Sequence, residues 1–212
     1  MDGCRTNNYS TGKVSALASP GPALTLTPRH AIMKQETSFV DEHPMRAYLD
    51  IETTFTGAIS VIGIYRPDDG AIQLVGSGVT DLNLYGALEG VATLVTFNGS
   101  GFDLPVIRKR LLADLRAEYV HRDLLHICRR RGLRGGLKVV EQRLGIRRDT
   151  AGISGWDAPR LWQRYEAEGD RAALETLLAY NYEDVVNLAA LEALLDGDTV
   201  VAPAPGVRIV IQ

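Results

Sequence analysis

The chain has 212 residues, 45% of them hydrophobic and 23% charged, with a formal net charge of −3. That length can bury a sizeable core without staples, and the charge argues mildly against a protein that coats nucleic acid through bulk positive potential, though not against an enzyme that grips a strand with one local patch. Two cysteines, Cys4 and Cys128, make neither a disulfide framework nor a zinc spacing, so a reducing, cytoplasmic setting is expected. No apolar run is long enough to span a membrane, and no charged start with an apolar core marks a secretory signal.

Residues 1–44 are rich in Ser, Thr, Pro, Gly and Asn and lack a period, so they read as a leader, disordered or loosely attached. Met45 stands just before the first convincing strand, and the domain (45–197) is expected to begin there, part of the leader being an upstream extension. Three strands follow, in RAYLDIE, AISVIGIYR and AIQLVGSG, the second closed by the turn PDDG, and their spacing suggests an antiparallel meander. LNLYGALEG reads as a short helix and ATLVTFNG as a fourth strand. A helix over DLPVIRKRLLADL carries Pro105 near its start, where the missing N–H is harmless. AEYVHRDLL suggests a fifth strand, with Asp123 as N-cap of LLHICRR. Helices are then expected in LKVVEQRLGI, APRLWQRYEAEG and a long segment from Asp170, an N-cap, to Gly197, a stop. The tail, 198–212, either adds an edge strand or stays loose. Strands first, then alternation, then helices imply an α/β fold with a central mixed five-stranded sheet flanked by helices.

Acidic residues stand at three suggestive places. Asp50 and Glu52, two apart on the first strand, share a face, where like charges raise each other's proton affinity unless a hard cation intervenes; a solvated strand face is the plain alternative. Asn98 and Asp103 lie on the strand-to-helix loop FNGSGFDLP, where sheets often hold ligands, although Asp103 equally suits an N-cap and Asn98 a turn. In the long helix, Leu174, Leu177, Leu178, Val185, Leu188 and Leu195 form one stripe that includes Asp184. Tyr180, one turn earlier, lies about 40° from Asp184, while Tyr182 lies about 200° away and Glu183 points to the back. Asn181 also falls in the stripe, suited to lock the helix on the sheet by a hydrogen bond.

Together, D-x-E on a first strand, N-x-x-x-F-D after a later strand and Y-x-x-x-D on a late helix resemble the three motifs of the DEDD exonucleases, in their tyrosine (DEDDy) version. LDIETT, FNGSGFDLP, GLKVVEQRLGI, GWDAPRLWQRY and YNYEDVVNLAAL are most similar to the YprB-like group within it. The resemblance implies a ribonuclease H-like fold and 3′–5′ hydrolysis of phosphodiester bonds in DNA or RNA. It implies two Mg²⁺ or Mn²⁺ ions ligated by Asp50, Glu52, Asp103 and Asp184, with Tyr180 orienting the attacking water. Thr53 and Asn98, beside these motifs, are expected to touch substrate. The alternatives on the same fold are a nucleic-acid-binding domain with little activity and a structure-specific endonuclease.

Basic residues crowd between His121 and Arg148, and Arg129, Arg130, Arg131, Arg134 and Lys138 are expected to track the phosphates of a single strand or 3′ end. A solvated helix face is the alternative. GLRGGLK suggests a helix whose first amides face a phosphate. Tyr85, Phe102 and Trp156 have rings that stack on bases, but packing is the preferred reading for each; His126 and Cys128 read as structural. A helicase or repair-complex partner would suit such an enzyme, though no motif reports one.

Overall fold

In the first strand, β1 (Arg46–Thr53), odd and even positions part company. Ala47, Leu49 and Ile51 enter one hydrophobic cluster and Tyr48 another, as the two-residue period of a strand dictates. Asp50 and Glu52 continue the face of Tyr48. Two acids therefore stand where core residues would be expected. The computed structural model describes residues 45–150, 152–203 and 206–211; the leader, 1–44, lies outside them.

β2 (Ile59–Arg66) and β3 (Gly70–Val75) complete the expected antiparallel meander. β4 (Thr93–Thr96) runs parallel to β1, and β5 (Val120–Asp123) parallel to β4. Among the described residues the sheet has six strands rather than five, in the order β5-β4-β1-β2-β3-β6. The sixth is the tail segment Val207–Val210, β6, which pairs parallel to β3 and covers an edge that would otherwise present unpaired backbone groups. This is the mixed sheet of a ribonuclease H-like fold.

Helices cover both faces. α1 (Asp81–Ala87), α2 (Asp103–Leu111) and α3 (Leu115–Glu118) place Leu84, Ile107 and Leu115 on the Leu49 side. The segment read as a helix over 103–115 stops at Leu111, because Leu112 turns left-handed (φ 59°), and its last residue, Leu115, opens the separate α3. α4 (Leu124–Arg130), α5 (Leu137–Leu144), α6 (Ala158–Glu168) and α7 (Arg171–Asp196) supply the clusters on the Tyr48 side. α7 begins and ends as its caps dictate: Asp170 accepts a hydrogen bond from Ala173 N–H (3.0 Å), and Gly197 (φ 82°) stops it. The far end of α7 is tied to the sheet through buried Glu192, which accepts from the Tyr48 hydroxyl (2.6 Å) and pairs with Arg46 (2.9 Å). Cys128 is buried in the second cluster, whereas His126 stays exposed. Among the described residues no helix is long and apolar enough to cross a membrane.

Candidate active site

β1 outruns its parallel neighbour. β4 pairs only with Arg46–Tyr48, so the β4-facing edge of β1 opens at Ile51. Asp103 fills that gap: its Oδ1 accepts a hydrogen bond from Ile51 N–H (3.1 Å). The expected capping role is not taken, since Asp103 is the first helical residue and its side chain braces the sheet instead.

On the same face α7 crosses β1, β2 and β3 through a polar ladder. Asp50 lies opposite Gly63, and Gly63 opposite Gln73. Asn181, fully buried, spans all three strands above Gly63. Its Nδ2 donates to Asp50 Oδ2 (3.2 Å), and its Oδ1 accepts from Gln73 Nε2 (3.0 Å), which also donates to Leu178 O (2.9 Å). The lock expected of Asn181 is thus a two-sided one, and it sets the rotation of α7. That rotation carries Asp184 and Tyr180, both buried, toward Asp50 and Glu52. Carboxylate oxygens of Asp50, Glu52 and Asp184 all lie within 4.8 Å of one another.

Asp50, Glu52, Thr53, Asn98, Asp103, Tyr180 and Asp184 line one cavity of about 440 Å³. A second cavity, of about 720 Å³, is lined by Arg129, Arg134 and the Gly135–Leu137 turn. Phe97 and Asn98 line both. Arg130 and Arg131 are exposed and stand outside the two cavities. Lys138 turns inward, its Nζ 4.2 Å from the centre of the Tyr180 ring.

Burial dominates the electrostatics. It pushes Asp50 and Glu52 well above the usual carboxylate range, and the charges of Asp184 and Asp103 push further. Burial raises Asp103 to about 7 against the pull of the Asp103 and Ile51 amides. Asp184 is raised by burial too, but Arg148 opposes it. Arg148 joins Asp184 to buried Glu141, with Nη2 donating to Asp184 Oδ1 and, at 2.8 Å, to Glu141 Oε1. Burial, then the charges of Asp184, Glu52 and Asp50, hold the Tyr180 phenol far on its protonated side. Tyr180 is therefore a neutral phenol whose hydroxyl can donate a hydrogen bond.

Four features went unread in the sequence. Arg148 appeared only as one basic residue among many, because its pairing with Glu141 depends on a loop of irregular backbone. Glu183, expected to stand idle, anchors that loop by accepting from Asp149 N–H (2.6 Å) and Thr150 N–H (3.1 Å). Asp123 caps α4 as expected (Leu125 N–H, 3.1 Å) but also holds the Asn98 loop, accepting from Asn98 N–H (2.8 Å) and Ser100 N–H (3.0 Å). Asn98 there adopts φ 68°, a left-handed value that asparagine tolerates better than most residues other than glycine. Finally, Phe102 and Trp156 do not pack in the core: they are 44% and 86% exposed, and both line the acid-bearing cavity. Tyr85 keeps its packing role, and Tyr182 packs on the second cluster away from the cavity.

Residues 47–195 match the RNase_H_2 family of the RNase_H superfamily. In sequence, no curated protein matches the chain. Among solved structures, the chain is similar to the family B DNA polymerase from the hyperthermophilic archaeon Pyrobaculum calidifontis, at 18% identity and a TM-score of 0.54. The match covers 71% of this chain and 24% of that one, a likeness of fold.

Proposed function

From the premise that this chain belongs to the RNase_H_2 family of the RNase_H superfamily, we propose that it is a metal-dependent 3′–5′ exonuclease of the tyrosine DEDD type. The observation that carries the reading is the meeting of Asp50, Glu52, Asp103, Asp184 and Tyr180 in one cavity that adjoins a basic one. The motif segments are similar to those of the YprB-like group.

The donor set suits hard divalent cations. Three carboxylates have oxygens within 4.8 Å, a fourth lines the same cavity, and burial makes their joint ionisation costly. Arg148 is shared with Glu141, so side chains alone leave the cluster negatively charged. Asp50, Glu52, Asp103 and Asp184 would hold two Mg²⁺ or Mn²⁺ ions. Bound there, such ions polarise phosphoryl oxygens and lower the pKa of a coordinated water. Tyr180, kept neutral, would offer its hydroxyl to orient such a water. Arg148 holds Oδ1 of Asp184, so its other oxygen would be the one to face a metal. Asp103 and Asn181 fix the chain around Asp50 and Glu52, so little reorganisation is needed at the moment of reaction.

The substrate reading is a single strand of DNA or RNA presenting a 3′ end. Arg129 and Arg134 neutralise its phosphates, Asn98 and Thr53 contact its terminal nucleotide, and Arg130, Arg131 and Lys138 add to the local field. A helicase or repair complex that exposes such ends is the partner this activity would need. The test is a panel of 5′-labelled single-strand and duplex DNA and RNA with Mg²⁺, Mn²⁺ or EDTA. Progressive shortening from the 3′ end, metal-dependent, is the expected result. Cleavage of a circular single strand would replace the exonuclease with an endonuclease, and binding without cleavage of any substrate would reduce the chain to a binding domain.

A further inference from the structure

Leu112 is a leucine that folding does not explain. It ends α2 in the left-handed region (φ 59°), where its N–H donates to Arg108 O (3.1 Å). Glycine is the usual residue at such a cap, because a bulky side chain costs energy there. Burial does not offset that cost. Leu112 is 88% exposed, whereas Leu111 and Leu115 on either side pack on the first core cluster.

Unbalanced charge collects around it. A cavity of about 410 Å³ is lined by Leu104, Pro105, Arg108, Lys109, Asp114 and Arg116, so Leu112 stands in the chain between two of its walls. Asp114 pairs with Arg108 (3.3 Å), while Lys109 and Arg116 are exposed and form no ion pair among the described residues. Three cations thus face one acid, in a chain whose net charge is −3. At about 100° per residue, Pro105, Arg108 and Lys109 lie on the side of α2 turned away from Asp103. The cavity shares no lining residue with the acid-lined one or with that of Arg129 and Arg134.

The lining chooses between ligands. A nucleic-acid strand would use Lys109 and Arg116 but has no need of Leu112, and no aromatic ring lines the cavity to stack on a base. An acidic peptide with a bulky apolar residue uses all three. Its carboxylates answer the unpaired cations, and its apolar side chain covers Leu104, Pro105 and Leu112. The volume lies within the range of about 300–1,000 Å³ common to ligand pockets, which is room for an anchoring side chain.

We propose that the α2–α3 corner is a docking site for an acidic segment of a partner protein, with Leu112 and the cavity floor gripping its apolar residue. Docking there is independent of what the acid-lined cavity does.

The experiment follows the fluorescence anisotropy of a labelled peptide, EEDLLDEE, titrated with the full chain. Saturable binding that weakens as salt rises is expected. Lys109→Glu combined with Arg116→Glu should weaken it about tenfold. EEDSSDEE, which keeps the acids and loses the apolar pair, should bind about tenfold more weakly than EEDLLDEE. Leu112→Gly separates docking from folding: its Tm should hold or rise, because glycine accepts this φ, while its peptide affinity falls. Absence of saturable binding, equal affinity for the two peptides, or a lowered Tm in Leu112→Gly would each overturn the docking site. So would peptide binding that Arg129→Glu abolishes and the double variant spares, since it would belong to the other basic cavity. If the double variant weakens binding of a single-strand or duplex oligonucleotide and leaves the peptide unmoved, the corner serves nucleic acid and the proposal falls.

Discussion

Asn181 occupies the space that a side chain at position 63 would need: a Cβ on Gly63 would lie 2.3 Å from Asn181 Oδ1. The glycine lets α7 approach the sheet closely enough for Asn181 to reach Asp50 and Gln73 at once. Gly63→Ala is expected to lift this part of α7 and cost about 1–3 kcal/mol, the usual scale of overpacking. Asn181→Ala loses the ladder at about 1–3 kcal/mol because Gln73 and Asp50 are left short of a partner. The double variant should cost less than the sum, since the new methyl enters vacated space. Chemical denaturation of the four proteins measures the coupling, and strict additivity would break the link between the two residues.

The two tyrosines of α7 differ by position. Tyr180 is buried at the cavity, and Tyr182 packs on a hydrophobic cluster away from it. Tyr180→Phe should lower kcat by about 10²-fold, the scale of a misplaced reactant, and Tyr182→Phe by less than about twofold. Single-turnover rates on a labelled strand decide it; equal losses would mean that the wrong tyrosine faces the water.

Asp50→Asn and Asp184→Asn should each remove turnover while leaving single-strand binding within a few-fold, because the basic cavity is separate. Fluorescence anisotropy gives the binding, and gel-resolved products give the turnover. Retained turnover in both variants would rule out these acids as metal ligands.

Without metal, the protein should lose stability as pH rises. The Asp103 carboxyl is raised to about 7 in the folded state, against about 4 in the unfolded chain. The folded state therefore binds more protons across this window, and unfolding becomes easier from about pH 4 to 7. Asp50, Glu52 and Asp184 are shifted in the same direction and add the same sign. His121, lowered chiefly by burial, contributes the opposite slope near its own titration. Asp123 is held below the usual range by Ser100, Asn98 and Leu125 donors that outweigh burial, so it stays ionised in this window. Asp103→Asn, which keeps an acceptor for Ile51 N–H, isolates the effect. Its Tm in EDTA should fall less between pH 5 and pH 8 than that of the wild type. Mn²⁺ should flatten the wild-type curve, and parallel curves for the two proteins would refute the assignment.

Arg148 is the counter-charge for two buried acids, Glu141 and Asp184. Arg148→Met should destabilise by about 3–5 kcal/mol, the cost of leaving buried charge unpaired. Glu141→Gln in the same chain should recover part of it. Thermal melts of both variants provide the check, and an unchanged Tm in the single variant would contradict the buried pairing.

Periodicity and spacing went far with this chain. The two-residue period of YLDIETT put Asp50 and Glu52 on one face, and the helical period separated Tyr180 and Asp184 from Tyr182. The caps Asp170, Asp123 and Gly197 were legible because each acts on backbone a few residues away. Local rules of this kind need no knowledge of the rest of the fold.

What only the tertiary structure decided involves partners far apart in the chain. Asp103 suited an N-cap or a ligand by local rules, yet it closes an edge 52 residues away because β4 stops short of Ile51. The tail became an edge strand because β3 offered unpaired backbone there, a fact external to the tail's own residues. Gly63 had no visible purpose until Asn181, from another element, filled its space. Phe102 and Trp156 looked like core residues because composition ranks aromatics as buried; whether a ring meets protein or water is settled by which elements cover it, and among the described residues both rings stay exposed. The sequence by itself determined the chemistry available and the face on which each acid lies. Tertiary packing decided how closely they meet, because desolvation and charge act through space and not along the chain.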